Sequence, residues 1–412
     1  MWLHTTVFAQ QPDIPESGNP VAVIAEPVTA IPVEEPDYEA PPVLSAKVWW
    51  KDADWLSNQL WRVRDEVVSD GISNQYVIDS AYGTFQAYGD RQLLERLREI
   101  RAIYFLRNQG AFESGGEGTI EIAKDKLNLA GEIIEDPKQV AGDLPRGARA
   151  ILRRAGSRIH RERRKGNYGG EGPIRSLIGA DGKKLELTGR LEIDPYSDNE
   201  MLQEELERIS AVKALPSFGV GFVLPARRFF KVVEAGNAVR SIDPYLDDPS
   251  DLFVHNRRAL REELGASKEL TSEFLSMESA TPAQQTMLIQ ALAELKNCRS
   301  RTVLIEMAVN TETRNEFDYF KRTAELLAWY NGQVSPIQKL EPFLGVITFT
   351  DTAGERVLPL AVDLAGWCEE VASIVSEFSN VTEGGKVALS GRATGRMLVE
   401  LDRRGIGFVL QE

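Results

Sequence analysis

Residues 345–362, GVITFTDTAGERVLPLAV, decide the predicted fold class. The two ends of this stretch, residues 345–350 and 356–362, are rich in β-branched or alternating apolar side chains, which favours strands. The DTAG segment between them, residues 351–354, has the composition of a tight turn. The stretch is therefore predicted to be a β-hairpin.

The sequence after the hairpin extends it into a small α/β domain. Apolar periodicity and turn residues predict four further elements, in this order: a helix over 364–378, a strand over 386–389, a helix over 394–404 and a strand over 406–410. The order ββαβαβ predicts a domain over residues 336–412 in which a sheet packs against two helices.

Upstream of residue 336 the apolar pattern has helical spacing. It predicts helices within residues 55–67, 90–110, 120–134, 252–264, 282–295 and 317–330. The predicted fold class is α+β, a mostly helical body with the small C-terminal ββαβαβ domain. We place one helical domain, which includes a strongly basic helix, at residues 46–180 and a second helical domain at residues 181–335.

A short motif occurs twice in the second helical domain. Residues 193–199, IDPYSDN, are matched by residues 242–248, IDPYLDD. Ser197 has capping-box spacing to an acid three residues later, and the second copy places an acid directly before Pro249. Neither copy has the alternating carboxylates and turn glycine of a calcium loop, so both are predicted to cap helices.

The first 45 residues differ in composition from the rest of the chain. Val7, Phe8 and Ala9 fit the end of a signal peptide, and residues 11–45 contain eight prolines and seven acids but no Lys or Arg. We therefore expect residues 1–45 to comprise a signal remnant and an extended acidic linker. The expected location is extracytoplasmic, in the periplasm or cell envelope, with the cytoplasm as the alternative.

Four short stretches resemble an uncharacterised group of exported bacterial proteins. They are Asp194–Asn199, Leu326–Tyr330 with Pro336 and Ile337, Val362 and Asp363 before Trp367, and Ser390 and Gly391 before the last helix. No activity is attached to that group, so the resemblance implies export and nothing about catalysis.

Composition excludes several classes of site. The chain has two cysteines, Cys298 and Cys368, and three histidines, which excludes a disulfide framework, a four-thiolate zinc site and a His-Glu-x-x-His metalloprotease. We expect the two thiols to be buried separately rather than paired. We predict no metal and no cofactor.

The chain lacks a recognisable nucleophile motif. Ser197 and Ser210 begin Ser-Asp-Asn and Ser-x-x-Lys fragments, but these stand in the reverse of the order used by penicillin-binding enzymes, and no Gly-x-Ser-x-Gly elbow is present. The 62 acidic residues provide many possible carboxylate pairs, so a hydrolase with an unlocated carboxylate site stays open as an alternative.

The sharpest charge contrast lies in residues 146–165. This segment has nine basic residues and one acid, a net charge of +8, so the rest of a chain totalling −14 carries −22. Its apolar residues have helical spacing, which predicts an amphipathic basic helix. The candidate binding residues are Arg146, Arg149, Arg153, Arg154, Arg158, Arg161, Arg163, Arg164 and Lys165.

Three partners could contact the basic helix. A protein partner or an anionic membrane surface is favoured over nucleic acid, because no aromatic side chain is interleaved with the arginines. The structural alternative is a core helix whose arginines pair within the protein. The predicted function is a non-enzymatic extracytoplasmic structural or interaction protein near a membrane surface; the alternatives are the hydrolase and a cytoplasmic scaffold with a basic contact arm.

Overall fold

The computed structural model describes residues 37–50, 56–108, 147–156, 182–210, 244, 247 and 249–411. From Tyr38 onward these residues belong to one compact unit, which extends to the C-terminus. The fold is mixed α+β.

The helices and strands of the described part are numbered in chain order. The helices are α1 Ala46–Trp49, α2 Asp90–Arg107, α3 Ala148–Gly156, α4 Gly182–Leu191, α5 Glu200–Ser210, α6 Pro249–Arg258, α7 Lys268–Leu275, α8 Pro282–Ala293, α9 Thr302–Ala308, α10 Arg314–Gln333, α11 Glu369–Val381 and α12 Gly395–Arg403. The strands are β1 Val43–Ser45, β2 Trp61–Val63, β3 Glu66–Ser69, β4 Asn74–Ser80, β5 Gly83–Tyr88, β6 Ile337–Phe343, β7 Val346–Asp351, β8 Arg356–Leu360, β9 Leu364–Ala365, β10 Lys386–Leu389, β11 Arg392–Ala393 and β12 Gly407–Leu410.

The N-terminal sheet is antiparallel and centred on β4. This strand pairs with β2 and β3 along one edge and with β5 along the other, and β1 extends the sheet beyond β3. The helix predicted within residues 55–67 is therefore wrong, since β2 and β3 lie there. Val63 and Val67 have the four-residue spacing of a helix, but they lie on two different strands, β2 and β3, so their spacing reflects no single element.

The C-terminal sheet has the order β12-β10-β8-β7-β6. The hairpin predicted from residues 345–362 is formed by β7 and β8, and the Asp351 carboxylate closes its turn by accepting the main-chain N–H groups of Ala353 and Glu355 at 3.0 and 2.9 Å. Strands β8, β10 and β12 are parallel, with α11 and α12 as the crossovers between them.

The predicted order ββαβαβ of the C-terminal region needs correction. Strand β6 precedes the hairpin and pairs antiparallel with β7, and the two-residue strands β9 and β11 form a small parallel sheet of their own. The sequence of β6 contains Pro342 and charged residues, which hide the strand from a search for apolar runs.

A single hydrophobic core joins the C-terminal sheet to helices α3 and α6–α11. The Tyr330 ring on α10 packs edge to face on the Phe349 ring of β7, with the ring centroids 4.8 Å apart. The Tyr330 hydroxyl donates to the Asp351 carboxylate at 3.1 Å. The last helix of the body and the C-terminal strands are thus fixed by both apolar packing and a buried hydrogen bond.

Helix α2 is buried on two sides. Leu93, Leu97 and Ile100 pack against the N-terminal sheet, while Ile103 and Leu106 pack against α4 and α5. Because these two contacts fix the rotation of α2, the polar side chains of its remaining face are held in fixed positions as well.

We predict that Gly391 is needed for the small sheet formed by β9 and β11. A Cβ atom at Gly391 would lie 2.1 Å from the main-chain oxygen of Asp363, whereas a Cβ atom at Gly395 would meet nothing within 4 Å. Gly391→Ala should lower the free energy of unfolding by about 3 kcal/mol through overpacking. Gly395→Ala, the matched control, should be neutral or slightly stabilising in denaturant titrations. Equal losses for the two variants would contradict the close approach.

Candidate functional site

A cavity formed by described residues lies between α2, the loop over residues 192–198 and the start of α10. We call it the α2 cleft. It is partly open to solvent, and its open space of about 840 Å³ includes the solvent at its mouth. Its lining consists almost entirely of polar side chains: Tyr88, Arg91, Gln92, Glu95, Arg96, Arg98, Glu99, Glu192, Ile193, Asp194, Ser197, Asp198, Gln284, Arg314, Asn315 and Asp318.

Helix α2 contributes one polar face to the cleft. Arg91, Glu95 and Arg98 follow one another at spacings of four and three residues, which places them on the same side of the helix. Arg91 forms an ion pair with Glu325 of α10, and Arg96 forms ion pairs with Glu99 and Asp198.

The 192–198 loop is held against α2 and α8 by buried hydrogen bonds. Asp194 accepts from the Tyr196 main-chain N–H and from the Thr281 hydroxyl, both at 2.9 Å. Ser197 donates to Glu99, which also accepts from the Asn199 side chain at 2.9 Å. The loop is therefore positioned by carboxylates whose oxygens already have donors.

The cap of α5 differs from the one expected from the sequence. The Asn199 side chain accepts the Leu202 main-chain N–H at 3.2 Å, while the Ser197 hydroxyl is used on Glu99. The Ser197 capping box is therefore wrong. In the second copy of the motif, Pro249 begins α6 as expected, and the acid before it lies outside the described residues.

Glu95 differs from the other carboxylates of the cleft. Within the described part of the chain it has no hydrogen bond and no ion pair, although it is half-buried. Burial raises the pKa of Glu95 to about 7, and the nearby acids Asp318, Glu99 and Asp194 add to the effect of burial against the attraction of Lys321. Near neutral pH this carboxyl can therefore both hold and release a proton.

Asp318 lies on the same cavity, and its pKa is shifted in the opposite direction. Burial favours its protonated form, but the positive charges of Lys321, Arg322 and Arg91 outweigh burial and hold the pKa of Asp318 below its ordinary value. The Lys321 ammonium lies 2.6 Å from Asp318 Oδ1 and is itself buried. The cleft thus contains one carboxyl that keeps its proton near neutral pH and one that remains ionised.

A second cavity, also partly open to solvent, adjoins the first and shares Tyr88, Asn315 and Asp318 with it. Its further lining includes Asp70, Arg149 and Arg322, among other residues. Asn315 and Asp318, at the start of α10, therefore contribute to both cavities.

The basic segment is only partly described. Helix α3 forms as the periodicity predicts, and Ala148, Ile151 and Leu152 of its apolar face are buried. Arg149 pairs with Glu370 of α11 through Nε at 2.8 Å and Nη2 at 3.3 Å, and Arg153 is exposed. The Arg154 side chain and the whole of Arg146, Arg158, Arg161, Arg163, Arg164 and Lys165 lie outside the described residues.

For Arg149 alone, the ion pair agrees with the alternative in which the arginines of the basic helix pair within the protein. Its partner Glu370 is 221 positions away in the chain, so no local pattern could identify it. Contact of the basic segment with a protein or an anionic membrane stays a prediction. The helix predicted over 120–134 also lies outside the described residues.

The two cysteines are unpaired, as expected. Cys298 and Cys368 are both buried, and burial raises the pKa of each thiol to about 11. In the described ranges, no group of three or more His, Cys, Asp or Glu side chains could hold a metal ion. Among the helices of those ranges, none combines the length and the apolar character needed to span a bilayer.

Sequence reasoning missed the α2 cleft. The apolar stripe of residues 90–110 correctly predicted a buried helix, but the charged residues between its apolar positions were passed over. The spacing of Arg91, Glu95 and Arg98 was the available signal, because a repeating charged face on a helix with two buried sides must line a cavity or face solvent.

Comparisons with known proteins identify no family for this chain. No protein-family model, curated protein or solved structure matches this chain. The function must therefore be argued from the cleft itself.

The raised pKa of Glu95 predicts a pH-dependent gain in stability for Glu95→Gln. Below about pH 4.5 the carboxyl is protonated in both the folded and the unfolded chain, so the substitution changes little. As pH rises towards 7 the unfolded chain ionises first, and the wild type loses stability until the folded state ionises too. Above that pH the variant should be more stable by about 3 kcal/mol, since each pKa unit corresponds to about 1.4 kcal/mol.

The measurement is denaturant unfolding across this pH range, with Glu204→Gln as the matched control. Glu204 is an exposed acid on α5, so its substitution should give a pH-independent difference. A loss of stability in Glu95→Gln, or a gain that is the same at every pH, would contradict the raised pKa and show that the folded protein stabilises the Glu95 carboxylate.

Proposed function

We propose that the protein binds a neutral polyhydroxylated ligand, a saccharide, in the α2 cleft. The observation that carries the proposal is the lining, in which hydrogen-bond donors and acceptors are mixed and the charges almost balance. A polar cavity with several convergent donors and acceptors is a natural candidate for a small-ligand site.

The charge balance argues against a strongly ionic ligand. Four arginines and six acids line the cleft, and one of the acids, Glu95, is partly protonated near neutral pH. Most of these charges are already matched: Arg96 with Asp198, Arg91 with Glu325, and Asp318 with Lys321. A phosphate or a polyamine would have to break these pairs, at a desolvation cost for the partner left behind.

The hydrogen-bonding groups suit hydroxyls. Each hydroxyl both donates and accepts, and therefore fits where amides and guanidinium groups stand beside carboxylates. Gln92, Gln284 and Asn315 supply amides, while Glu95 and Asp318 supply acceptors. Tyr88 adds an aromatic ring to an otherwise polar wall, and the C–H face of a sugar can pack on such a ring.

This proposal concerns a different surface from the basic segment. The function expected from the sequence, a non-enzymatic interaction protein near a membrane, depends on residues 146–165 and on export, and both stay predictions. Saccharide binding in the cleft is compatible with either location.

The proposal predicts binding of at least one neutral trisaccharide. The probes are maltotriose, cellotriose, xylotriose and chitotriose, with inorganic phosphate and cadaverine as charged comparators, measured by isothermal titration calorimetry on the full chain. We expect a Kd of about 1 mM or tighter, or roughly 4 kcal/mol of binding free energy, for at least one trisaccharide. Neither charged comparator should displace it.

Two variants locate the binding. Glu95→Phe fills the cleft without breaking an ion pair and should abolish the binding heat, whereas Glu204→Gln, on the exposed face of α5, should leave it unchanged. The proposal fails if no trisaccharide binds, if phosphate or cadaverine binds in its place, or if the Phe variant binds as well as the wild type.

A further inference from the structure

We infer that the α2 cleft is the active centre of a glycoside hydrolase, with Glu95 as the general acid and Asp318 as the ionised partner of the reacting sugar. The inference rests on the proposed saccharide ligand and adds a reaction to it. It assigns catalytic residues to one alternative that the sequence left open, a hydrolase with an unlocated carboxylate site.

Glu95 has the accessibility and the freedom that an acid catalyst needs. It lines a solvent-connected cavity, and in the described part of the chain its oxygens are not engaged by any donor. The other cavity acids are occupied: Glu99 by Ser197, Asn199 and Arg96, and Asp194 by Tyr196 and Thr281. Those carboxylates are fixed in position, whereas Glu95 is available to a substrate oxygen.

The charged groups around Glu95 come from three parts of the fold. Helix α10 contributes Lys321 and Asp318, α2 itself contributes Glu99 and Arg91, and the 192–198 loop contributes Asp194. Three of these five groups are acids, and with burial they keep the proton on Glu95 up to about pH 7. A general acid works best when its pKa is close to the working pH.

Asp318 has the complementary property. Its Oδ1 is held by the Lys321 ammonium, and Oδ2 has no hydrogen-bond partner within the described residues. The positive charges nearby keep it ionised. Two carboxyl groups in one cavity whose pKa values are shifted in opposite directions are the arrangement from which acid and charge-stabilising roles are assigned in sugar hydrolysis.

The reaction needs only water as a second reactant. Glu95 transfers its proton to the glycosidic oxygen while the bond from that oxygen to the anomeric carbon breaks, and the leaving alcohol departs. The Asp318 carboxylate stabilises the positive charge that develops at the anomeric carbon and ring oxygen. A water molecule then adds to the anomeric carbon and returns a proton to Glu95, so both side chains end in their starting states.

The decisive test compares two kinds of substrate for Glu95→Gln. The trisaccharide that binds has an alcohol leaving group that needs a proton, whereas the 2,4-dinitrophenyl glycoside of the same sugar has a leaving group that needs none. We expect the variant to bind the trisaccharide like the wild type but to hydrolyse it at least about 100-fold more slowly, while cleavage of the dinitrophenyl glycoside falls much less. A merely structural role of Glu95 would lower both rates equally.

Two further readouts separate the roles. Trisaccharide hydrolysis by the wild type should fall as pH rises above about 7, and this alkaline limb should be absent from the residual rate of Glu95→Gln. Asp318→Asn should slow both substrates, because charge stabilisation at the anomeric carbon is needed whatever the leaving group. Glu204→Gln should match the wild type throughout.

Binding without cleavage would overturn this inference and leave the proposed function standing. Absence of binding, together with absence of cleavage, would overturn both. Equal losses on the two substrates in Glu95→Gln would also overturn the assignment of Glu95 as the acid.

Discussion

The buried carboxylate of Asp363 joins α10, which forms one wall of the cleft, to the N-terminal sheet and the C-terminal strands. Oδ1 lies 2.8 Å from the Arg322 guanidinium of α10, and the carboxylate accepts the Asn74 main-chain N–H at 3.1 Å. The Asp363 main-chain N–H donates to the main-chain oxygen of Ile72 at 2.8 Å. The Asp363 main-chain oxygen accepts the main-chain N–H of Arg392 at 2.9 Å. This single residue, three positions after the end of β8, thus connects the N-terminal sheet, α10 and the C-terminal strands. Loss of one partner from such a buried pair typically costs about 3 to 5 kcal/mol.

The position of the cleft follows from this connection. Arg322 and Asp318 are one helical turn apart on α10, so anchoring Arg322 to Asp363 fixes the side of α10 on which Asp318 lies. Helix α2 is fixed separately by its two apolar contacts, and the ion pair of Arg91 with Glu325 spans the space between the helices. Because this space is bridged by long charged side chains rather than filled by apolar ones, a cavity remains.

Sequence reasoning identified the parts of the fold that depend on local patterns. The hairpin of β7 and β8, the buried helix α2 and the apolar face of α3 were each indicated by residues close together in the chain. The strands at 61–69 were missed because apolar residues of two short strands, Val63 of β2 and Val67 of β3, happen to have helical spacing. The cleft was missed for a different reason, since it depends on pairs such as Arg96 with Asp198 and Thr281 with Asp194, which are 102 and 87 positions apart. Nothing in a single sequence specifies such pairs.

The contrast between Glu95 and its neighbours indicates that the cleft does more than hold the fold together. A network that served only stability would leave no half-buried carboxyl without a partner, because an uncompensated charge lowers the stability of the folded state. Every other acid that lines the cleft has an interaction partner, including Glu192. Glu95 also stands between two arginines of its own helix face, Arg91 and Arg98, and each of these has a partner elsewhere. An unpaired carboxyl in the middle of a paired charge network costs stability, and sites that bind or transform a ligand are where folds retain such a cost.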